Sequence, residues 1–236
     1  MFRLCSAAVV PLVLVSGCGV ISSNAADVAL DLPPKTFSID ASGWQVSQMA
    51  ADAYLATTCD PAAPLPSVCA SAATAACPMN CTGTCDASAH TCDLALEVAA
   101  HQAVDLLSDE PSLQSLADTT GVTVTVDRVQ YQVVDNTLTI ATPPMTIYVA
   151  PMSATQPTDP GAIAIATIAP VPAATLVVAT DLAWLPGGEA ALMAAMSDFK
   201  DPFTVLVGAT IMLDAADPLP TGKLDASVEI NAHASP

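Results

Sequence analysis

The chain concentrates six of its eight cysteines in one segment, residues 59–92. Thiols form disulfide bonds or bind metal ions, and an even number of them in an exported protein is typical of a disulfide framework. Four prolines and a run of Ala, Ser and Thr without hydrophobic periodicity predict a stapled loop that is neither helix nor sheet. We predict three disulfide bonds, with the pairing left open, among Cys59, Cys69, Cys77, Cys81, Cys85 and Cys92.

A zinc site is the alternative for this segment, because thiolates and imidazoles are ligands that Zn²⁺ prefers. Three of the cysteines are spaced four residues apart, which would place them on one face of a helix. Pro78 and Gly83 disfavour a helix there, and an oxidising compartment favours disulfides. We therefore predict no metal and no cofactor at these candidate ligands, which are Cys77, Cys81, Cys85, His90 and Cys92.

Other side chains that could act chemically are few. The sequence contains no G-x-S-x-G, no H-E-x-x-H and no glycine-rich phosphate loop after a strand. Its histidines are His90, His101 and His233. Oxygen ligands for calcium could come from Asp214, Asp217 and Asp225, or from Asp198 and Asp201, but no calcium-loop pattern supports this. We predict that the protein is not an enzyme.

The first 17 residues have the three-part layout of a secretory signal. Arg3 supplies a positive charge, residues 4–15 are apolar apart from Ser6 and Pro11, and two small residues follow. A helix needs about 20 apolar residues to cross the hydrocarbon of a bilayer, so this run is too short to span it. We expect residues 1–17 to be a signal peptide that is removed.

Residues 15–18, Val-Ser-Gly-Cys, resemble the lipobox of bacterial lipoproteins at all four positions. The resemblance implies that the Cys18 thiol receives a diacylglycerol, that a peptidase cuts before Cys18, and that the new amino group receives an acyl chain such as palmitate. Two or more acyl chains hold a protein stably at a bilayer, whereas one gives marginal binding. The alternative is an ordinary secretory signal cut after Ala25 or Ala26.

The residues after Cys18 bear on its destination. Gly19 and Val20 follow it, and the aspartate that favours retention in the inner membrane of enteric bacteria is absent from the second position. The resemblance therefore implies an outer-membrane lipoprotein of the cell envelope that faces the periplasm or the cell surface. Its partner would be the lipid bilayer, through the acyl anchor.

The charge of the chain restricts its other partners. Lys and Arg number 5 against 23 Asp and Glu, which gives a formal net charge of −18. Such a surface repels phosphate backbones and anionic headgroups, so we predict no nucleic acid partner. A protein or a glycan stays open as a partner.

Alternating apolar and polar residues predict strands after the cysteine segment and just before it. The patterns cover residues 35–39, 94–106, 122–133, 145–149, 163–168, 175–180, 204–213 and 223–232. Asp135 and Asn136 predict a turn, after which Leu138 and Ile140 return, so residues 122–140 are expected to form a long β-hairpin. Only residues 188–200 predict a proper helix, with Leu192 and Met196 toward the core.

These patterns predict a mainly β fold: an antiparallel β-sandwich, or a partly open barrel, with one short helix near 188–200 and a disulfide-rich loop. We expect a lipidated tether at 18–34 and a single β domain at 35–236 with the cysteine-rich insertion at 59–92. The expected function is that of a non-enzymatic, membrane-anchored envelope lipoprotein with a structural or partner-binding β domain. Its alternatives are a carrier of an apolar ligand, with the helix as a lid, and lastly a hydrolase.

Overall fold

The computed structural model describes residues 28–62, 68–77, 81–116, 121–214 and 217–235. The signal peptide predicted at residues 1–17 and the lipidation site predicted at Cys18 lie outside these ranges. The tether predicted to extend to residue 34 is wrong at its end, because Val28–Asp31 is a strand that pairs with the last strand of the chain. Pairing gives the backbone of this segment hydrogen-bond partners that a free tether lacks.

The described ranges contain eleven strands, which form two antiparallel sheets. In chain order they are β1 (Val28–Asp31), β2 (Lys35–Asp40), β3 (Cys81–Cys85), β4 (Cys92–Val104), β5 (Thr123–Asn136), β6 (Met145–Pro151), β7 (Ile163–Ile168), β8 (Val177–Asp181), β9 (Ala183–Trp184), β10 (Phe203–Leu213) and β11 (Lys223–Ser235).

In the first sheet, β1 and β2 both pair with β11, which also pairs with β5, and β5 pairs with β8. In the second sheet the order is β3, β4, β10, β6, β7 and β9. The two sheets are not closed into a barrel. The predicted mainly β fold of antiparallel sheets, a sandwich or partly open barrel, is therefore confirmed, and the sheets do not close.

The main apolar core contains buried residues of both sheets. Every second residue of β5 is buried at Val124 and Val126 and again at Val129 and Tyr131. The interval from Val126 to Val129 is three residues instead of two. The pairing of β5 with β11 shifts register at this point, between Asn231 and Ala232 of β11. The extra residue of a β-bulge thus keeps the side chains on both sides of the step pointing into the core.

Four helices lie in the described ranges: α1 (Gln48–Leu55), α2 (Val68–Ala76), α3 (Leu106–Asp109) and α4 (Gly188–Ser197), with 3₁₀ turns at Ala41–Trp44 and Pro111–Leu116. The helix near 188–200 is confirmed, but the expectation of a single helix is wrong. The buried side of α2 consists of Cys69, Ala73 and Ala76, so its stripe has helical spacing but little hydrophobic contrast. No helix in these ranges has the length and apolar character needed to cross a membrane.

The predicted hairpin at residues 122–140 is wrong, although its first strand is confirmed. β5 continues through Asp135 to Asn136, and residues 137–144 form no strand. The Asn136 amide donates hydrogen bonds to the carbonyl oxygens of Pro172 and Thr175, at 3.1 and 2.9 Å. Asn136 therefore ties β5 to the segment before β8, and β5 takes its partners from distant parts of the chain.

Candidate functional site

The six cysteines of the predicted insertion form three disulfide bonds, as the sequence predicts. The pairs are Cys59–Cys85, Cys69–Cys92 and Cys77–Cys81. The surrounding segment is more regular than the expected loop, because Cys69 lies in α2 and Cys81 and Cys85 are the ends of β3. The expectation of a segment without helix or sheet is therefore wrong, and the disulfides connect regular elements.

Close packing accompanies these bonds. A side chain at Gly83 of β3 would collide with the Tyr54 hydroxyl and the Cys69 carbonyl group, so the glycine lets α1 and α2 approach the strand. The sulfur atoms of Cys59, Cys69 and Cys85 lie within 4.8 Å of one another. All three are held in disulfides, and the stacked helical ligand set considered for zinc is not formed, because Cys81 and Cys85 lie on a strand.

The partly buried carboxyl group of Asp93 lies next to Cys92 of this cluster. Tyr54 donates a hydrogen bond from its hydroxyl to the backbone oxygen of Asp93, at 3.0 Å, and burial raises the pKa of Tyr54 to about 12. Atom Oδ1 of Asp93 is buried and has no hydrogen-bond partner among the residues that the structure describes. Burial is the main cause that raises the pKa of Asp93, and the carboxylates of Asp86 and Asp214 add to it. A carboxyl oxygen that is shielded from water without a hydrogen bond lowers the stability of the folded state.

The three histidines lie on separate elements. His90 is in the turn between β3 and β4, His101 is exposed on β4, and His233 is on β11 in the other sheet. Nδ1 of His233 lies 2.9 and 3.0 Å from the two carboxylate oxygens of Asp127. None of the three histidines lines the groove described next.

The five aspartates considered as calcium ligands do not form one cluster: Asp225 is on β11, Asp214 and Asp217 follow β10, and Asp198 and Asp201 follow α4. Asp225 accepts a hydrogen bond from the Lys223 ammonium at 2.6 Å, which is the main cause that lowers the pKa of Asp225. Asp217 accepts one from the backbone N–H of Asp214 at 3.2 Å. Asp198 and Asp201 directly follow α4, where both line a cavity.

That cavity, the α4 groove, is the strongest candidate binding site in the described part of the chain. It has a volume of about 660 Å³, within the range of small-molecule sites. Most of its lining is apolar. The lining residues are Val149, Ala150, Pro151, Met152, Gly161, Ile163, Ala191, Ala194, Ala195, Asp198, Asp201, Pro202 and Phe203.

The position of α4 creates one wall of the groove. Leu192 and Met196 are fully buried in the main core, so the helix turns its alanine side toward the cavity. At the start of α4, Gly188 lies so close to the carbonyl group of Ile165 in β7 that no side chain fits there. This contact lets the start of α4 pack directly against β7.

The connection between β6 and β7 also lines the groove, through Met152 and Gly161. Asp159 accepts hydrogen bonds from the backbone N–H groups of Thr155 and Gln156, at 2.8 and 3.0 Å, and these bonds lower the pKa of Asp159. Gly161 adopts a left-handed conformation with φ of 85°, which glycine tolerates best. The turn places Met152 and Ile163 at the groove with 49% and 52% of their surface exposed.

The sequence predicts the helix of this site but not its groove. Asp198 and Asp201 stand out in the sequence only as possible calcium ligands, and no pattern indicates that they line a groove with the β6–β7 connection. No protein-family model, no curated protein and no solved structure matches the chain. The geometry of the described residues therefore carries the functional argument.

Proposed function

We propose that the protein is a non-enzymatic lipoprotein of the bacterial cell envelope, anchored through Cys18, with its β domain on the periplasmic or outer face of the outer membrane. The domain would act as a structural or binding module. Its partners would be the bilayer, through the acyl chains, and a protein or glycan.

The observation that carries this proposal is the pairing of six cysteines in three disulfides. Disulfides persist in oxidising compartments outside the cytoplasm, which fits an exported chain. The Val-Ser-Gly-Cys motif at residues 15–18 adds the anchor to this argument.

The experiment is the intact mass and membrane partition of the protein made in a Gram-negative host, with Cys18→Ser as the test variant. Cys5→Ser is the matched control, because Cys5 lies inside the predicted leader. We expect the wild type and Cys5→Ser to partition with membranes as acylated chains that begin at Cys18. Cys18→Ser should be soluble, since without the thioether the dominant hydrophobic attachment is lost.

Two results would contradict the proposal. An unacylated wild-type chain that begins after Ala25 or Ala26 would leave an ordinary secreted protein. A wild-type mass that does not rise by about 6 Da on reduction would contradict the export argument, because two hydrogens are added for each disulfide opened.

The α4 groove favours a second candidate function, the carriage of an apolar ligand in the envelope. An exposed groove of about 660 Å³ walled by alanines, Met152 and Ile163 leaves apolar surface in contact with water. Covering such surface yields about 25 cal/mol per Å². An apolar chain lying in the groove would gain this free energy, and α4 would form one side of the site.

A further inference from the structure

We propose that the α4 groove binds single-chain cationic amphiphiles. The aliphatic chain would lie against Met152, Ile163 and the alanines of α4, and the cationic head would sit beside Asp198 and Asp201. This inference rests on the apolar-ligand function proposed above and adds to it the charge of the ligand.

The α4 groove leaves large apolar side chains exposed to water. Met152 and Ile163 are two of the few large apolar side chains of the described residues that are about half exposed, and both line this groove. Buried Val149 and Phe203 lie behind them in the same cavity. Adjoining exposed apolar side chains in a concave site are typical of a ligand groove rather than of a solvated face.

The charged side chains of the groove lie just after the end of α4. Asp198 and Asp201 are the charged residues of the lining, and both are exposed. The last turn of α4 contains no basic residue, and the free carbonyl groups at a helix C-terminus favour cations over anions. Two carboxylates at this position therefore repel the helix end that they follow.

Neither carboxylate forms an ion pair with a cation among the described residues. The ion pairs among the described residues, found within 4.0 Å, involve other aspartates. Lys200 lies between Asp198 and Asp201 in the chain but is exposed and pairs with neither. A cationic head would supply the missing charge, whereas the head of a fatty acid would meet two like charges and a chain of net charge −18.

The test measures binding of three dodecyl probes below their micelle-forming concentrations. Dodecyltrimethylammonium is the cation, dodecyldimethylamine oxide at a pH where it is uncharged is the near-isosteric neutral control, and dodecyl sulfate is the anion. The full mature chain carries Cys18→Ser, so that its own acyl chains do not compete. Calorimetry gives the affinity, and the NMR signal of the labelled Met152 methyl group reports the site.

Matched variants separate the two halves of the argument. Asp198→Asn with Asp201→Asn removes both charges at nearly constant shape, and Glu189→Gln removes a charge from the first turn of the same helix, outside the lining. Ala194→Trp fills the groove from an exposed position. Far-UV circular dichroism checks that each variant is folded.

We expect the cation to bind about tenfold more tightly than the amine oxide, a difference that the Asp198/Asp201 double variant removes and Glu189→Gln retains. Equal binding of the two probes would overturn the charge inference and leave the apolar-ligand function standing. No shift of the Met152 signal with any probe, or binding that persists unchanged in Ala194→Trp, would overturn both.

Discussion

The Cys69–Cys92 disulfide is expected to stabilise the fold more than the Cys77–Cys81 disulfide does. The perturbation is Cys69→Ala with Cys92→Ala, the other bonds being kept oxidised. The sequence separation of 23 residues gives a loop-closure contribution of about 3.4 kcal/mol in the chain-entropy model. Both cysteines are fully buried, and losing two sulfur atoms from the core adds about 1.6 kcal/mol. We expect a total loss of about 5 kcal/mol.

The matched control is Cys77→Ala with Cys81→Ala. Its separation of 4 residues gives a loop-closure contribution of only about 2 kcal/mol. Cys77 is buried but Cys81 is partly exposed, so the packing loss is also smaller, and we expect a total loss of about 3 kcal/mol. The difference between the two variants, about 2 kcal/mol, is the quantity that tests the reasoning.

The assay is urea unfolding at constant pH, followed by tryptophan fluorescence and by far-UV circular dichroism. Trp44 is a suitable probe, because it is buried and donates a hydrogen bond to the Glu97 carbonyl oxygen at 3.0 Å. Coincident transitions would license a single free energy of unfolding. If loss of Cys77–Cys81 costs as much as loss of Cys69–Cys92, neither loop length nor burial sets the contribution of these bonds, and the reasoning is refuted.

Two further substitutions test the burial of Asp93 and the close packing of Gly188 against β7. Asp93→Asn should stabilise the protein near pH 7, because asparagine cannot ionise. Burial raises the pKa of Asp93 in the native state. The wild type therefore loses stability as the pH rises from the unfolded-state pKa of about 3.9 through the native-state pKa. The urea midpoints of the wild type and the variant should differ near pH 7 and converge at about pH 3. A variant that is less stable than the wild type at both pH values would contradict this. Gly188→Ala should cost about 1–3 kcal/mol or more, because its methyl group meets the Ile165 carbonyl group, whereas Gly43→Ala, with open space around it, should cost far less. Thermal unfolding of both variants measures this, and equal midpoints would show that α4 is not held against β7.

Strand positions could be predicted from the sequence where turn residues bound an apolar run. β7 was predicted at residues 163–168 and has those bounds, because Pro160 and Gly161 precede it and Pro170 follows it. Strand partners could not be predicted, because β11 pairs with segments that begin at residues 28, 35 and 123. At Asp135 and Asn136 local turn chemistry indicated a hairpin, but the long-range pairing with β11 prevailed.

The candidate site was less predictable than the fold. α2 was missed because alanine supplies both its buried and its exposed sides, so its periodicity is hidden. The cysteine pairing depends on how α2 meets β3 and β4, which no local pattern records. The α4 groove joins residues from β6, β7, α4 and the start of β10, and only the folded chain brings them together.

The pairing of β1 with β11 fixes where a reporter could be attached. Val28 lies opposite Ala234, so the first described strand begins where the last one ends. If Cys18 carries the anchor, the ten residues from there to Val28 reach at most about 35 Å when extended. An epitope fused after the last strand would then stay close to the bilayer, so its accessibility to antibodies on intact cells would report which face of the membrane the domain occupies.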